Sequence, residues 1–258
     1  DLHSFPTRRL PISLWLNRDL SPAEGWALGT ADMRALFYPW WEFVRNSLFQ
    51  GRIPFWDTRH FAGTPFLHNP QIAFFYPPNW LVFLLPINRG ISVYYLFHLW
   101  IAGWGMAQLV DFLWGRVGDQ QPKILGAKLG PLAAGLAFMF GGFFSARIYA
   151  GHIGFLATHS WLPFLLLFSG MGLRQKKIYW LPPVALIWAL AILAGHTTTL
   201  VYVGIIWLSF CFWVVLHDVN RNWNQAFLFG LGSISLAVLV ASIQLWPTLQ
   251  LIRLSGRV

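Results

Sequence analysis

The chain has 258 residues, of which 56% are hydrophobic and only 10% are charged. Soluble domains carry roughly a quarter charged residues, so this composition excludes an ordinary soluble domain and indicates an all-α, polytopic helical membrane protein. The net charge of +9 is distributed between apolar stretches, where topology signals and lipid-headgroup contacts explain basic residues. We therefore predict membrane lipids as partners and no nucleic-acid partner. The single cysteine, Cys211, excludes an intrachain disulfide.

Residues 31–49 form the first periodic segment. Its apolar residues recur at near-helical spacing: Met33, Phe37, Trp40, Val44 and Leu48. Polar residues occupy much of the remainder, which predicts one or two amphipathic helices lying in the membrane interface. Pro39 is expected to begin a second helical piece, because its missing N–H is harmless in a first turn.

Residues 51–78 are rich in Pro, aromatic and turn residues and predict a loop. The apolar stretch at 79–86 is too short to cross a bilayer. About six transmembrane helices are then predicted, at residues 91–114, 129–149, 155–173, 178–194, 200–216 and 226–247. The chain is thus expected to divide into an extracytoplasmic loop with amphipathic helices (residues 1–90) and a transmembrane helical domain (residues 91–258).

The connections between these stretches predict their orientation. Those after residues 114, 173 and 216 contain Lys or Arg, whereas those around Gly151-His152 and Gly195-His196 contain neither. Because short basic loops stay in the cytoplasm, both Gly-His pairs and residues 1–90 are expected outside. The arginines of residues 1–90 do not oppose this, because long segments translocate largely regardless of charge.

Asp32 and the two histidines are the candidate chemical groups. A carboxylate at a membrane surface can act as a general base or hold a divalent cation beside a phosphate; alternatively, Asp32 caps a helix amino terminus. His152 and His196 can recognise phosphate or hydroxyl groups, or carry protons; alternatively, they rest at the interface as amphipathic rings. Arg147 and Asp111 lie near span ends, where snorkelling explains them.

The outer loop and the Gly-His pairs carry a family resemblance. Its motifs are Asp32 with Phe37-Tyr38-Pro39-Trp40-Trp41, Gly51-Arg52-Ile53-Pro54-Phe55-Trp56-Asp57, Gly63-Thr64-Pro65, Asn69-Pro70-Gln71, Gly151-His152, Gly195-His196 and Gln244-Leu245-Trp246-Pro247-Thr248. From about Ala27 onward the sequence resembles YfhO-type bacterial membrane proteins, which are similar to GT-C glycosyltransferases. Two departures, the lack of a span before the Asp32 loop and of further spans after the last, suggest a partial chain or a shortened relative.

The resemblance implies a multi-pass protein of the bacterial plasma membrane that transfers a sugar from a polyprenyl-phosphate donor to an extracytoplasmic acceptor. It implies that an acidic residue of the first outer loop is the catalytic base, and Asp32 matches that position. Arg34 is a candidate for stabilising the leaving phosphate, because guanidinium matches phosphate oxygens. The candidate substrate-binding residues are Arg34, Tyr38, Asn69, Gln71, His152 and His196. A divalent cation is a candidate cofactor.

Two other classes of function are left open. The aromatic surplus and few charges also suit a non-catalytic membrane subunit that packs against other subunits, for example in an energy-transducing or photosynthetic complex. A transporter or flippase should show inverted repeats or discontinuous helices, and no convincing repeat is present. P-loop, Gly-x-Ser-x-Gly and His-Glu-x-x-His motifs are absent from the sequence.

Overall fold

The computed structural model describes residues 32–58, 63–114, 126–217 and 222–254. These residues are almost entirely helical. The α-helices are α1 (Tyr38–Phe49), α2 (Trp80–Leu84), α3 (Ile87–Trp114), α4 (Gly126–Met139), α5 (Gly142–Tyr149), α6 (Ile153–Ser160), α7 (Leu162–Gln175), α8 (Leu181–Leu193), α9 (Thr197–Leu216) and α10 (Trp223–Leu254). A π-helical turn, Met33–Phe37, precedes α1, and 3-10 turns cover Pro70–Ile72, Pro77–Asn79 and Ile178–Trp180.

Five apolar segments within the described residues are long enough to cross a membrane. They are Ile87–Trp114, Leu129–Tyr149, Ile153–Gln175, Thr197–Leu216 and Trp223–Arg253, and a shorter apolar segment covers Ile178–Leu193. Large apolar side chains stay exposed on these helices, among them Leu208, Phe227 and Leu239, as lipid-facing surfaces require. The predicted all-α, polytopic membrane fold is confirmed, with five long spans and one short apolar helix for the six predicted.

Two of the predicted spans are interrupted. The second is broken at Phe140-Gly141 between α4 and α5, and the third at Trp161 between α6 and α7. Pro163 explains the break at Trp161 in the third span, because it lies in the first turn of α7 and has no N–H to continue the hydrogen bonding of α6. Hydropathy alone does not register such breaks, since the sequence stays apolar across them.

The described residues form two compact units. Unit 1 contains residues 32–58, 63–98, 142–156 and 243–254, and unit 2 contains residues 99–114, 126–141, 157–217 and 222–242. The predicted division at residue 90, between an extracytoplasmic loop and a transmembrane domain, describes where segments lie relative to the membrane rather than which residues pack together. It stays a prediction.

The apolar face of α1 organises the core of unit 1. Trp41 and Val44 are fully buried, and Trp41 Nε1 donates to the Ile72 carbonyl at 3.3 Å. The Trp41 ring also meets the Tyr94 ring edge-on, with centroids 5.3 Å apart. Met33 and Phe37 of the π-helical turn are buried on the same side. The predicted amphipathic stretch is therefore confirmed, with Trp41 rather than Trp40 as its most buried aromatic residue.

The loop before α2 is fixed to the end of α10 within unit 1. Gln244 Nε2 donates to the Leu67 carbonyl at 3.1 Å, and Thr248 Oγ1 donates to the His68 carbonyl at 3.0 Å. A two-stranded antiparallel ribbon pairs β1 (Trp56–Asp57) with β2 (Thr64–Pro65) in the same loop. These contacts give an otherwise irregular segment a defined position, because each pairs a backbone acceptor with a buried or half-buried donor.

Unit 2 is held by close helix crossings. A Cβ at Gly135 of α4 would lie 2.5 Å from the carbonyl oxygen of Gly103 in α3, so the two backbones are nearly in contact there. Trp207 Nε1 of α9 donates to Ser169 Oγ of α7 at 2.7 Å, and its ring meets Trp188 edge-on at 5.4 Å. These buried polar contacts satisfy groups that lipid cannot.

Candidate active site

Asp32 lies at the start of the π-helical turn, immediately before Met33. It has helical backbone angles (φ −68°, ψ −42°) and makes no side-chain capping hydrogen bond. The capping alternative for Asp32 is therefore wrong, because an N-cap residue leaves the helical region and accepts a backbone N–H. Its Oδ2 instead lies 3.2 Å from Nε2 of His152, 120 residues later in the chain.

A helix-ending turn positions His152. Its backbone N–H donates to the Arg147 carbonyl at 3.0 Å, and the Gly151 N–H donates to the Ile148 carbonyl at 3.1 Å. Gly151 has φ +70°. This pair of bonds around a left-handed glycine is a Schellman motif, which ends α5 and brings the residue after the glycine next to the last helical turn. His152 is thereby fixed one turn above Arg147.

Arg147 determines which nitrogen of the His152 ring carries the proton. Its Nη1 lies 3.0 Å from His152 Nδ1. A guanidinium only donates and stays protonated in proteins, so Nδ1 accepts and the ring proton is on Nε2. Nε2–H then donates to the Asp32 carboxylate. The imidazole in this arrangement connects a cation with an anion by two hydrogen bonds.

Aromatic rings hold the guanidinium of Arg147 in place. It lies 4.2 Å from the centroid of the Phe155 ring and 5.8 Å from that of the Phe143 ring. Cation–π attraction of this kind acts together with the hydrogen bond to His152. Arg147 therefore has aromatic neighbours on α5 and α6 that orient its guanidinium group. The oriented guanidinium in turn holds the ring of His152 at Nδ1.

The Asp32–His152–Arg147 relay leaves the carboxylate reachable. The Asp32 side chain is 45% exposed and that of His152 is 33% exposed. A carboxylate offers about four lone-pair sites, so the hydrogen bond from His152 orients the group without consuming its capacity to accept a proton. In this arrangement the ring of His152 donates to Asp32, and its predicted roles in phosphate or hydroxyl recognition and in proton transfer stay predictions.

The described residues contain no group of three or more His, Cys, Asp or Glu side chains that could hold a metal ion. Divalent cations such as Mg²⁺ prefer oxygen ligands. Of the side chains of Asp32 and His152, which contact each other, only that of Asp32 supplies oxygen atoms. The predicted divalent cation therefore gains no protein cage from this part of the chain and stays a prediction.

Three further predicted residues lie in unit 1. Asn69 Oδ1 accepts the Gln71 N–H at 3.0 Å and caps a 3-10 turn, so these two residues stabilise their own loop. Tyr38 is half-buried at the start of α1. Burial raises the pKa of its phenol, and the nearby carboxylate of Glu42 raises it further, so Tyr38 stays a hydrogen-bond donor at neutral pH. The side chain of Arg34 lies outside the described part of the structure.

His196 lies in unit 2 and has a different local role from His152. It is the N-cap of α9, and its Nδ1 accepts the Thr199 N–H at 3.2 Å. Gly195 before it has φ +81°, so both Gly-His pairs contain a left-handed glycine. One histidine follows a helix end and the other begins a helix. The predicted substrate contact of His196 stays a prediction.

Sequence reasoning missed Arg147. It was assigned to snorkelling because it is a lone basic residue near a span end. The available signal was its spacing. In a Schellman motif, the residue after the helix-ending glycine lies beside the residue five positions earlier in the chain. Arg147 stands five positions before His152, which follows Gly151.

Comparisons with known proteins do not place the chain in a family. No family model, no curated protein and no solved structure matches it.

Proposed function

We propose that this membrane protein is a glycosyltransferase that moves a sugar from a polyprenyl-phosphate donor to an acceptor hydroxyl, with Asp32 as general base. The observation that carries the proposal is the 3.2 Å contact between Asp32 Oδ2 and His152 Nε2. This contact brings together Asp32 and His152, which the sequence analysis selected separately. It also holds a half-exposed carboxylate in one orientation, as general-base catalysis requires. The resemblance to YfhO-type proteins supports the choice of reaction.

The proposed reaction is a direct displacement. The acceptor hydroxyl loses its proton to the Asp32 carboxylate while its oxygen forms a bond to the anomeric carbon of the donor sugar. The bond between that carbon and the phosphate oxygen breaks, and polyprenyl phosphate leaves with the electron pair. A single displacement inverts the anomeric centre. The proton then passes from Asp32 to water, which restores the carboxylate.

Each residue of the relay has a separate task in this scheme. Asp32 accepts the proton, His152 positions Asp32 through Nε2–H, and Arg147 fixes the ring of His152. Positioning matters because a hydrogen-bonded carboxylate keeps one face toward the acceptor. Arg34 is proposed to neutralise the leaving phosphate, and Tyr38 to donate a hydrogen bond to substrate.

The proposal includes a location. The protein would lie in a bacterial plasma membrane with Asp32 and His152 at the outer face, where polyprenyl-linked sugars are used in this class of enzyme. The supporting observation is the charge pattern of the connections, because Lys and Arg concentrate in alternate loops.

The experiment is a transfer assay in liposomes. Purified protein is reconstituted with polyprenyl phosphates carrying radiolabelled hexoses and with a bacterial envelope extract as the source of acceptor hydroxyls, and transfer of the label from the polyprenyl phosphate to acceptor is measured for wild type, Asp32→Asn and Asp111→Asn. Asp111 is an exposed carboxylate of α3 and serves as the matched control. Loss of a general base should lower turnover by about a hundredfold or more, while the control keeps wild-type turnover.

Two results would overturn the proposal. Equal turnover of wild type and Asp32→Asn would remove Asp32 as the base. Absence of transfer by wild type with every donor, together with stoichiometric copurifying membrane proteins, would favour the non-catalytic subunit.

A further inference from the structure

A basic cavity lies in unit 2. It has a volume of about 530 Å³ and is formed where α7 and α9 end and α10 begins. Its lining residues are Gly172, Leu173, Lys176, Lys177, Ile178, Val215, Asn222, Asn224, Gln225, Ala226, Leu228 and Phe229. Among the lining residues that the structure describes, two are lysines, three have amide side chains and none is Asp or Glu. A cavity with these groups attracts an anion.

The polar rim of this cavity has a defined shape. Lys176 ends α7 with φ +54°, which turns the chain so that both lysines border the cavity. Gln225 Nε2 donates to the Lys176 carbonyl at 3.4 Å, and the Gln225 N–H donates to Asn222 Oδ1 at 2.9 Å. The first turn of α10 is thereby joined to the end of α7, and its positive dipole end lies on the cavity side that holds the lysines.

An apolar groove continues from the cavity. It has a volume of about 730 Å³ and shares Leu173, Val215, Ala226 and Phe229 with the basic cavity. Its other lining residues are Trp207, Leu208, Ser209, Cys211, Phe212, Trp223, Phe227, Gly230, Leu231 and Ile234. The groove runs along α9 and α10, which are both long enough to span a membrane. The basic cavity and the apolar groove along α9 and α10 are therefore continuous at these four shared residues.

We propose that this combined site binds one anionic phospholipid, with its phosphate at Lys176 and Lys177 and an acyl chain in the groove. Basic pockets between transmembrane helices are suited to anionic headgroups. The continuous apolar groove favours a lipid over a soluble anion, because a free phosphate would make no use of it. The connections after residues 173 and 216 contain Lys or Arg, and basic connections of this kind face the cytoplasm, where anionic headgroups are concentrated. The inference does not depend on the transfer reaction.

The test is lipid retention measured by native mass spectrometry. The full chain is released from mixed micelles of phosphatidylglycerol and phosphatidylcholine, and bound lipids are counted. The variants are Lys176→Gln/Lys177→Gln and the matched two-charge control Arg52→Gln/Arg253→Gln, whose side chains are exposed elsewhere. Removing two basic residues from a headgroup site should lower phosphatidylglycerol retention by about thirtyfold, and the control should retain it like wild type.

A second variant tests the groove, and a second ligand tests the source of the phosphate. Ala226→Phe places a ring at the junction of cavity and groove and should abolish retention of the single phosphatidylglycerol. Equal retention of the two lipids by wild type, unchanged retention in the lysine variant, or unchanged retention in Ala226→Phe would each overturn the proposal. Displacement of the lipid by inorganic phosphate alone would assign the cavity to a soluble anion and would also overturn it.

Discussion

Nη1 of Arg147 lies 3.0 Å from Nδ1 of His152 and thereby fixes the ring as a donor through Nε2. Both residues belong to one helix-ending turn, so their relation is local and is set by Gly151. The carboxylate of Asp32 comes from a distant part of the chain and accepts the Nε2–H. The relay therefore combines a rigid local pair with one long-range partner, and its parts can be changed separately.

Changing His152 should reduce transfer without abolishing it. His152→Ala removes the hydrogen bond that orients Asp32, and a hydrogen bond to a partly exposed carboxylate corresponds to about a tenfold change in rate. His152→Gln should recover much of this loss, because the glutamine amide reaches a position similar to Nε2–H. The measurement is kcat in the liposome transfer assay. His217→Ala, at the end of α9, is the control; a loss in His152→Gln as large as in His152→Ala would contradict the positioning role.

Gly151→Ala should destabilise the protein and disturb the relay. Gly151 has φ +70°, and a left-handed residue with a side chain costs about 1 kcal/mol or more. The control is Gly142→Ala in the same unit, where an added Cβ would meet nothing within 4 Å. Thermal unfolding in detergent should show a lower midpoint for Gly151→Ala alone. Equal midpoints for the two variants would show that the turn does not need its glycine.

Gly135→Ala should loosen the crossing of α3 and α4. The added Cβ would lie 2.5 Å from the Gly103 carbonyl oxygen, and a backbone atom cannot move aside without separating the helices. Overpacking of this kind costs about 1–3 kcal/mol. Gly130→Ala on the same helix is the control, because its Cβ would make an ordinary 3.4 Å contact with the Trp114 ring. A midpoint of thermal unfolding for Gly135→Ala at or above that of Gly130→Ala would refute the close crossing.

Tyr38 should titrate above the ordinary range for tyrosine. Burial raises its pKa first and the Glu42 carboxylate second. Because the pKa of Tyr38 is raised in the folded protein, its contribution to folding stability is complete below the ordinary tyrosine pKa. That contribution is lost as the pH rises through the pKa of the folded protein. The phenolate absorbance of wild type minus that of Tyr38→Phe isolates this residue. Glu42→Gln should lower the midpoint yet leave it above the ordinary value; a midpoint below that value would contradict the burial.

The helical membrane fold could be predicted because its signals are local. Apolar length determines which segments can span a bilayer, and the recurrence of Met33, Phe37 and Val44 marks the buried face of the first helical stretch. Pro39 marked the change from the π-helical turn to α1. The breaks at Gly141 and before Pro163 were missed, because hydropathy averages over them even though Gly and Pro are present as signals.

The candidate site could be predicted only in part. Asp32 and His152 were each singled out by residue type and place, but their contact depends on how distant segments pack. A helix cap was the alternative for Asp32, and the structure shows the contact with His152 instead. Arg147 was missed because its role depends on backbone geometry around Gly151. Asn69 was selected for substrate, and its observed bond is to its own turn.

The most direct test of the relay is the protonation of the His152 ring. Nitrogen NMR of isotope-labelled histidine in lipid bilayers, with His152→Gln used to identify the signal, reports which ring nitrogen carries a proton. The expected result, from the contacts with Arg147 and Asp32, is a ring with a proton on Nε2 and none on Nδ1, and loss of this single state in Arg147→Leu. A wild-type ring that carries its proton on Nδ1, or on both nitrogens, would contradict the account.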